Sequence, residues 1–491
     1  MFIIELNRDN YEYDVHSIVK AFYGEEQVKV LTPASKDWEN EELHETAKIR
    51  IRLTESGGEL FVEGCEKPWV FVEYAEAGVV DAKTFKDAFK RFLYSTLSEV
   101  TGKNLPWGNL TGIRPTKIAY GMLEQGTSEE EILAYYQDKH YVSREKAELS
   151  LDIAKREKEL LSKVHYQGGY SLYIGIPFCP TTCLYCSFTS FPIGGYRKMV
   201  DDYVDCLIKE MEYVAGRFEG KILDTVYIGG GTPTTLEADQ LDKLISRLKE
   251  LFDFSTVLEF TVEAGRADSI TEDKLQVLYK HGVTRISVNP QTMNQKTLDI
   301  IGRKASVEQV REAYALAREI GFDNINMDLI LGLPGELEAD VQYTIDEVVK
   351  MAPDSLTVHS LAIKRASRLN QWIQENGVAM LHNTDETMRI AAEGAKRLGH
   401  VPYYLYRQKN MSGNFENVGY AKEGKLGLYN ILIMEEMQTI VALGAGSITK
   451  LVLPDGRIER TDNVKDVALY IEKIDEMIER KERLLQDNHF E

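Results

Sequence analysis

Cys179, Cys183 and Cys186 fall in the stretch IPFCPTTCLYCSF (176–188) of a 491-residue chain that has only five cysteines. Their spacing is C-x3-C-x2-C. A structural zinc site takes four ligands, commonly from paired C-x2-C units, and no further His or Cys stands nearby to complete one. Three thiolates on one loop suit a 4Fe–4S cube in which one iron keeps an open position for a small molecule. The bland alternative is three inert buried thiols; Pro177 and Pro180, which bound the loop, argue against it. Cys65 and Cys206 are isolated and read as small core or near-surface residues.

Such a loop needs a rigid support. Six short strand-like stretches recur: SLYIGI (171–176), TVYIGG (225–230), LEFTVE (258–263), TRISVN (284–289), NINMDLI (324–330) and LTVHSL (356–361). Helical patterns lie between them at 197–215, 237–252, 272–281, 306–320 and 338–351. This alternation predicts an α/β unit with a parallel sheet, doubly wound or a partial barrel. Ligands in such sheets bind at the carboxyl ends of the strands. The cysteines follow the first strand and GGGTPT (Gly229 to Thr234) follows the second. Glu263 ends the third, Gln291 in NPQT follows the fourth with Arg303 beyond it, and Asp328 lies on the fifth. A glycine run exposes backbone N–H groups to a ligand or merely makes a tight turn. A single carboxylate at a strand end is usually a solvated cap, but four polar groups around one rim make a candidate site. His359, ending the sixth strand, reads equally as a core polar residue or a site residue.

The flanks differ from this pattern. Residues 1–164 begin with a βαββα order that predicts a small α+β domain, followed by charged helices at 127–163 with Thr127 and Glu130 as a capping box. GIRPTK (112–117) reads as a helix start rather than an anion site. Residues 366–491 pass from helices into a Tyr-rich loop (403–420) and a short β-like end, GSITKLVL. The basic residues there, Arg407, Lys409, Lys422 and Lys425, are either solvated or cover a large, flat, anionic substrate. A net charge of −20 argues against nucleic acid as partner. No apolar run is long enough for a membrane span, the N-terminus has no signal-peptide pattern, and the low, odd cysteine count predicts a cytoplasmic, reducing location.

The segment LYIGIPFCPTTCLYC, following a first strand, resembles the radical S-adenosylmethionine (SAM) superfamily. Within it, the chain is similar to the oxygen-independent coproporphyrinogen III oxidase (dehydrogenase) family, most like its HemZ branch, over about residues 165–450. The resemblance implies a radical SAM partial (βα)6 barrel at 165–365, an N-terminal α+β domain at 1–164 and a smaller C-terminal α+β substrate cover at 366–491. It implies a 4Fe–4S cluster on Cys179, Cys183 and Cys186, whose open iron chelates the methionine end of SAM. Gly229, Gly230, Gly231 and Thr232 would meet the methionine amino group, and Arg303 its carboxylate. Glu263 and Asp328 would take the ribose hydroxyls, Gln291 would hydrogen-bond SAM, Tyr185 would lie by the adenine, and Tyr173 by cluster or ligand. The implied reaction is oxidative decarboxylation of two propionates of coproporphyrinogen III to vinyls, giving protoporphyrinogen IX in anaerobic haem biosynthesis. Its partners would be a tetrapyrrole substrate and a low-potential electron donor such as flavodoxin or ferredoxin.

Two positions depart from the decarboxylating enzymes. Their Y-x-H-I-P-F-C carries His where this chain has Gly175, and their further cysteine corresponds to Phe188. Haem binding or delivery, or radical SAM methyl transfer or ring opening on a tetrapyrrole, therefore stand as alternatives. Arg266, in VEAGRADSI, either reaches substrate carboxylates or forms a surface ion pair.

Overall fold

The computed structural model describes residues 1–24, 26–72, 81–112, 114–165, 168–363, 367–377, 380–408 and 415–489. The chain divides into two units, Met1–Ala154 with Tyr406–Glu416, and Lys155–Leu405 with Asn417–Glu491.

In the first unit, β1 (Phe2–Leu6) lies between β2 (Val28–Leu31) and β3 (Ile49–Leu53), and β4 (Gly57–Val62) and β5 (Trp69–Val72) complete the sheet. Alternation places Ile4, Leu6, Ile49 and Ile51 on one face, where they pack against Val15, Ile18 and Phe22 of α1 (Glu12–Phe22) and Phe85, Phe89 and Leu93 of α2 (Ala82–Thr101). Asp81 caps α2 through the amides of Lys83 and Thr84, and Gly102 ends it in the left-handed region. The sequence missed β2: VKVL is too short to show a period, and its parallel pairing with β1 supplies the stability. The capping box stands one residue later than expected, at Ser128 and Glu131.

Arg407 and Glu416 belong to this unit. Glu416 accepts hydrogen bonds from Trp107 Nε1 at 2.6 Å and Lys146 Nζ at 2.7 Å. Arg407 lies over the Trp107 ring and donates to the Leu110 carbonyl at 2.5 Å. It is buried there, not presented to a substrate. Lys409 lies outside the described residues.

All six predicted strands of the second unit form, in sequence order and parallel: β6 (Gly169–Ile176), β7 (Ile222–Gly230), β8 (Glu259–Gly265), β9 (Arg285–Val288), β10 (Ile325–Leu331) and β11 (Ser355–Ser360). Both faces are covered, so the strands read as nearly continuous apolar runs. The intervening helices, including α3 (Val200–Arg217), α4 (Ala238–Leu251) and α5 (Val307–Ile320), bury one stripe each.

The sheet then continues on both flanks. β12 (Val401–Tyr406) and β13 (Asn417–Ala421) extend the β11 edge, with β13 antiparallel to β11. On the other edge β14 (Thr439–Leu443) lies parallel to β6, and β15 (Ile448–Val452) and β16 (Ile458–Asp462) follow antiparallel. Because β13 runs against β11, its end returns to the amino ends of the strands. Lys422 there binds Asp354 at 3.1 Å, and Lys425 binds Asp323 at 2.9 Å. The idea that these two lysines hold substrate is thereby corrected: they face the end of the sheet opposite the cysteines.

The last helix, α6 (Ile474–Asp487), is tied into this unit by a buried charge. Lys481 Nζ sits 2.6 Å from Glu210 Oε1, with both side chains at most 4% exposed. Tyr470, Asn463 and the Gly444 amide also donate to Glu210. Close by, Tyr203 donates to the Gly175 carbonyl at 2.7 Å and accepts from the Ala445 amide. Among the described residues, no helix is long and apolar enough to cross a membrane.

Candidate active site

The loop after β6 leaves the carboxyl end of the sheet and cannot bury its carbonyls without donors. The neighbouring strand ends supply them. Gly231 and Thr232 donate to the carbonyls of Ile176 and Phe178, both at 2.7 Å. Leu184 N donates to the Ile301 carbonyl, and Thr181 Oγ1 to that of Gly302. Arg368 donates to the Thr182 carbonyl.

All five cysteines are free. Each thiol on the loop has a polar neighbour: Thr232 Oγ1 at 3.5 Å from Cys179 Sγ, Arg266 Nη1 at 3.8 Å from Cys183 Sγ, and Ser190 Oγ, further along the same loop, at 3.6 Å from Cys186 Sγ. Burial pushes the Cys179 thiol up to about 11, so its thiolate needs a metal or a cation to persist. Among the described residues, no three His, Cys, Asp or Glu side chains are gathered as the ligands of one ion would be. Thiolates that reach three different irons of a cube stand further apart than that. Cys65 is exposed and Cys206 half-buried near the Ile471 carbonyl, as isolated residues should be.

The glycines that end and follow β7 are required largely by their protein neighbours. A Cβ on Gly229 would meet Tyr227 at 2.6 Å and the Glu263 carboxyl carbon at 2.9 Å, and one on Gly231 would meet the Phe178 carbonyl at 2.6 Å. Glu263 stands where the β8–β9 register shifts, between Val262 and Gly265, the kind of bulge that re-aims a side chain. Its carboxylate accepts from the Tyr227 hydroxyl and, at 3.3 Å, from the Gly230 amide. Burial pushes it up to about 7, Tyr227 pulling back and Asp328 adding to the rise. Asp328 goes the other way. Burial opposes its charge, but His359, Asn326 and Thr357 outweigh that and hold it below the usual carboxylate range. Asn289 and Asn326 donate to it at 2.9 and 2.7 Å, and His359 Nε2 stands 3.8 Å off, which brings His359 to the site.

Gln291 and Arg303 are the site's unsatisfied members. Gln291 has φ +67, a strained value for a residue with a side chain, fixed by bridging β10 through the Asp328 carbonyl and the Ile330 amide. Its side-chain Oε1 is buried without a partner. Arg303 donates to the Asn289 carbonyl at 2.5 Å and the Tyr185 hydroxyl at 3.4 Å, but its Nε is buried and unpartnered. Burial works against its charge, and Tyr185 and Cys183 more than offset this. A buried, unpaired guanidinium N–H is costly; an entering carboxylate would satisfy it.

Three tyrosines floor the site: Tyr173, named from the sequence, and Tyr227 and Tyr429, which sequence reasoning missed. The rings of Tyr173, Tyr227 and Tyr429 stack, with Tyr227 and Tyr429 4.4 Å apart at 22° and Tyr173 6.2 Å from each. Tyr429 opens the helix Leu428–Glu435, whose first amides are held by Glu259 at the amino end of β8. Tyr227 was visible in the alternation: it lies two residues before Gly229, on the same face.

Arg266 needs correcting on both counts. It is 4% exposed and neither reaches outward nor pairs at the surface. It grips Asp268 with two nitrogens and the cysteine loop with the third. Gly175 has its own reason: a Cβ there would stand 3.1 Å from the Leu443 carbonyl of β14 and 3.4 Å from Tyr173. Phe188 is 71% exposed.

Residues 173–348 match the radical SAM superfamily. The chain is 40% identical over 415 residues to the oxygen-independent coproporphyrinogen-III oxidase-like protein HemZ of Bacillus subtilis, spanning 82% of this chain and 83% of that protein. To the haem chaperone HemW of the same organism it is 31% identical over 309 residues, 62% of this chain and 76% of that one. To the oxygen-independent coproporphyrinogen III oxidase of Escherichia coli it is 33% identical over 192 residues, 39% and 42% of the two chains. The solved structure of coproporphyrinogen III oxidase (HemN) from Escherichia coli superposes with a TM-score of 0.52 at 23% identity, covering 65% of this chain and 72% of that one, which shows a common fold.

Proposed function

Because the chain belongs to the radical SAM superfamily, among the oxygen-independent coproporphyrinogen III oxidase-like proteins, and so uses a 4Fe–4S cluster and SAM, we propose that it decarboxylates the propionates of coproporphyrinogen III. What supports this most is the rim itself: three free thiols on one pinned loop, the Arg303 guanidinium beside Cys183, and two buried, unsatisfied polar groups, Arg303 Nε and Gln291 Oε1.

Cys179, Cys183 and Cys186 would hold the cluster, with Thr232, Ser190 and Arg266 against the sulfurs. When bound, the reduced cluster and SAM supply a 5′-deoxyadenosyl radical. Arg303 would pair with the methionine carboxylate, Gln291 would hydrogen-bond the same ligand, and the Gly229–Thr232 turn would meet its amino group. Glu263 and Asp328 would accept from the ribose hydroxyls, Glu263 steadied by Tyr227. The Tyr185 hydroxyl leans on Arg303 and its ring would flank the adenine. The stacked tyrosines close the floor and exclude water, which a radical needs. In the substrate, one hydrogen atom would pass from a propionate β-carbon to the 5′-deoxyadenosyl radical, and loss of CO2, with one electron passed to an external one-electron acceptor, would leave a vinyl group. A tetrapyrrole, a low-potential electron donor such as flavodoxin or ferredoxin, and a reducing cytoplasm complete the reading.

A second reading is favoured by two observations. The chain lacks the His and Cys of the decarboxylases, having Gly175 and Phe188, and it is also similar to a haem chaperone. In that reading it binds or delivers haem. Anaerobic incubation of the reconstituted protein with SAM, a strong reductant and coproporphyrinogen III separates the two by mass spectrometry. Loss of two CO2 per tetrapyrrole is the expected result. Intact coproporphyrinogen together with tight haem binding would support the second reading, and a methylated or linear product would redirect both.

A further inference from the structure

Cys183 is the most enclosed of the three loop thiols, and it faces two guanidiniums. Arg303 is one, with a ligand role in the reading above. Arg266 is the other, and that reading gives it no task beyond its place against the sulfur. Its contacts are specific. Nε donates to Asp268 Oδ1 at 2.9 Å and Nη2 to Asp268 Oδ2 at 2.6 Å, the two-pronged geometry that fixes a guanidinium plane. Nη1 then points at the cysteine loop, bonding the Thr181 carbonyl at 2.9 Å, Thr181 Oγ1 at 2.8 Å and Cys183 Sγ at 3.8 Å. The Gly265 backbone before it turns with φ +63 and accepts from Asn289 N, so Arg266 is aimed by the same bulge that presents Glu263.

We propose that Arg266, set by Asp268, is a positioning residue that fixes the reduction potential of the cluster through Cys183. The inference rests on the assignment of the three cysteines as cluster ligands. Reduction adds one electron to a cluster already bonded by three anionic thiolates. A cation against one sulfur, away from water, stabilises the reduced state more than the oxidised one and raises the potential. An N–H bond to the ligand sulfur acts in the same direction. Asp268 is the counterweight: its charge offsets part of the Arg266 field while it holds the plane. Thr232 and Ser190, beside Cys179 and Cys186, are neutral hydroxyls and have no such leverage.

The two partners therefore shift the potential in opposite directions, which a merely structural role would not do. The test is a redox titration of the full-length, anaerobically reconstituted protein without SAM, following the reduced cluster by electron paramagnetic resonance, with iron counted for each variant. Arg266→Gln is expected to disfavour reduction about tenfold or more, ~59 mV for one electron. Arg266→Lys, which keeps the charge but not the fork, falls between it and the parent. Asp268→Asn, which frees the Arg266 charge, is expected to shift the midpoint upward. Unchanged midpoints in Arg266→Gln and Asp268→Asn at full iron content would overturn the proposal. If Arg266→Gln fails to load iron, Asp268→Asn decides alone, and an unchanged midpoint there overturns it. Absence of any cluster in the parent protein would instead remove the cysteine assignment itself.

Discussion

Binding of SAM should tighten as the pH rises from 6 to 8, because of one carboxyl group. Burial lifts Glu263 to about 7, the Tyr227 hydroxyl and Gly230 amide pull it back, and Asp328 pushes it further up. Asp328 is held low and stays ionised throughout this range. A group raised in this way is mostly protonated below 7, and a protonated carboxyl has lost acceptor capacity for ribose hydroxyls. The ionised fraction is about 0.09 at pH 6 and about 0.9 at pH 8, so if only that form binds, affinity changes roughly tenfold, ~1.4 kcal/mol. Glu263 must then contribute a release of about 0.9 proton at pH 6 and about 0.1 at pH 8, read as the difference from Glu263→Gln because the chelating ammonium gives up a proton of its own. Anaerobic calorimetry of SAM binding to the cluster-loaded protein, in two buffers of different ionisation heat, counts those protons. Glu263→Gln should flatten the profile, and Tyr227→Phe, which removes a donor to the carboxylate, should move its midpoint to higher pH. Equal affinity at pH 6 and 8 with no proton released beyond that of Glu263→Gln, while Glu263→Gln still weakens binding, would refute the argument: Glu263 would contact SAM but not titrate.

Alanine at Cys179, Cys183 or Cys186 should abolish retention of the cluster, read as iron per chain, whereas Cys65→Ala and Cys206→Ala should leave it unchanged. Arg303→Met should weaken SAM binding by ~2–3 kcal/mol, roughly 30-fold to 150-fold, since a charged hydrogen-bonding group is lost; an unaltered dissociation constant would remove Arg303 from the ligand. Lys481→Met leaves the Glu210 carboxylate buried without its cation and should lower stability by ~3–5 kcal/mol, measured by denaturant unfolding. Gly175→His, which copies the decarboxylases, presses a Cβ on the Leu443 carbonyl and should cost ~1–3 kcal/mol from overpacking; a more stable or more active variant would show that β14 yields.

The barrel was legible because its strands carry their own signal. Buried on both faces, they are apolar runs spaced by amphipathic helices, and their carboxyl ends collected the polar residues into one list. Tyr173, Glu263, Gln291, Arg303 and Asp328 meet because parallel topology leaves them no other place. What surrounds them was not legible. β14 reads TIVAL, with nothing to say that it pairs with β6. β12 and β13 hide in tyrosine-rich text that looks like a loop, and the lysines after β13 were misplaced for that reason. Arg266 could be located but not interpreted, since one residue type serves a substrate, a surface or a sulfur equally well. The choice is made by a bulge at Val262–Gly265 that no period reveals.

The seam between β6 and β14 also dictates an order of events during synthesis. Ser171 and Gln438, bonded across it, are 267 residues apart, and a ribosome adding about 5–20 residues per second takes on the order of ten to fifty seconds to make the second after the first. For that interval the strand that carries the cysteine loop has one edge open, the condition in which nascent strands recruit wrong neighbours. Glu210 waits longer still for Lys481. The thiols thus emerge early on a support that is completed late, and a chain cut short before the final helix would keep every thiol but leave Glu210 buried without its cation.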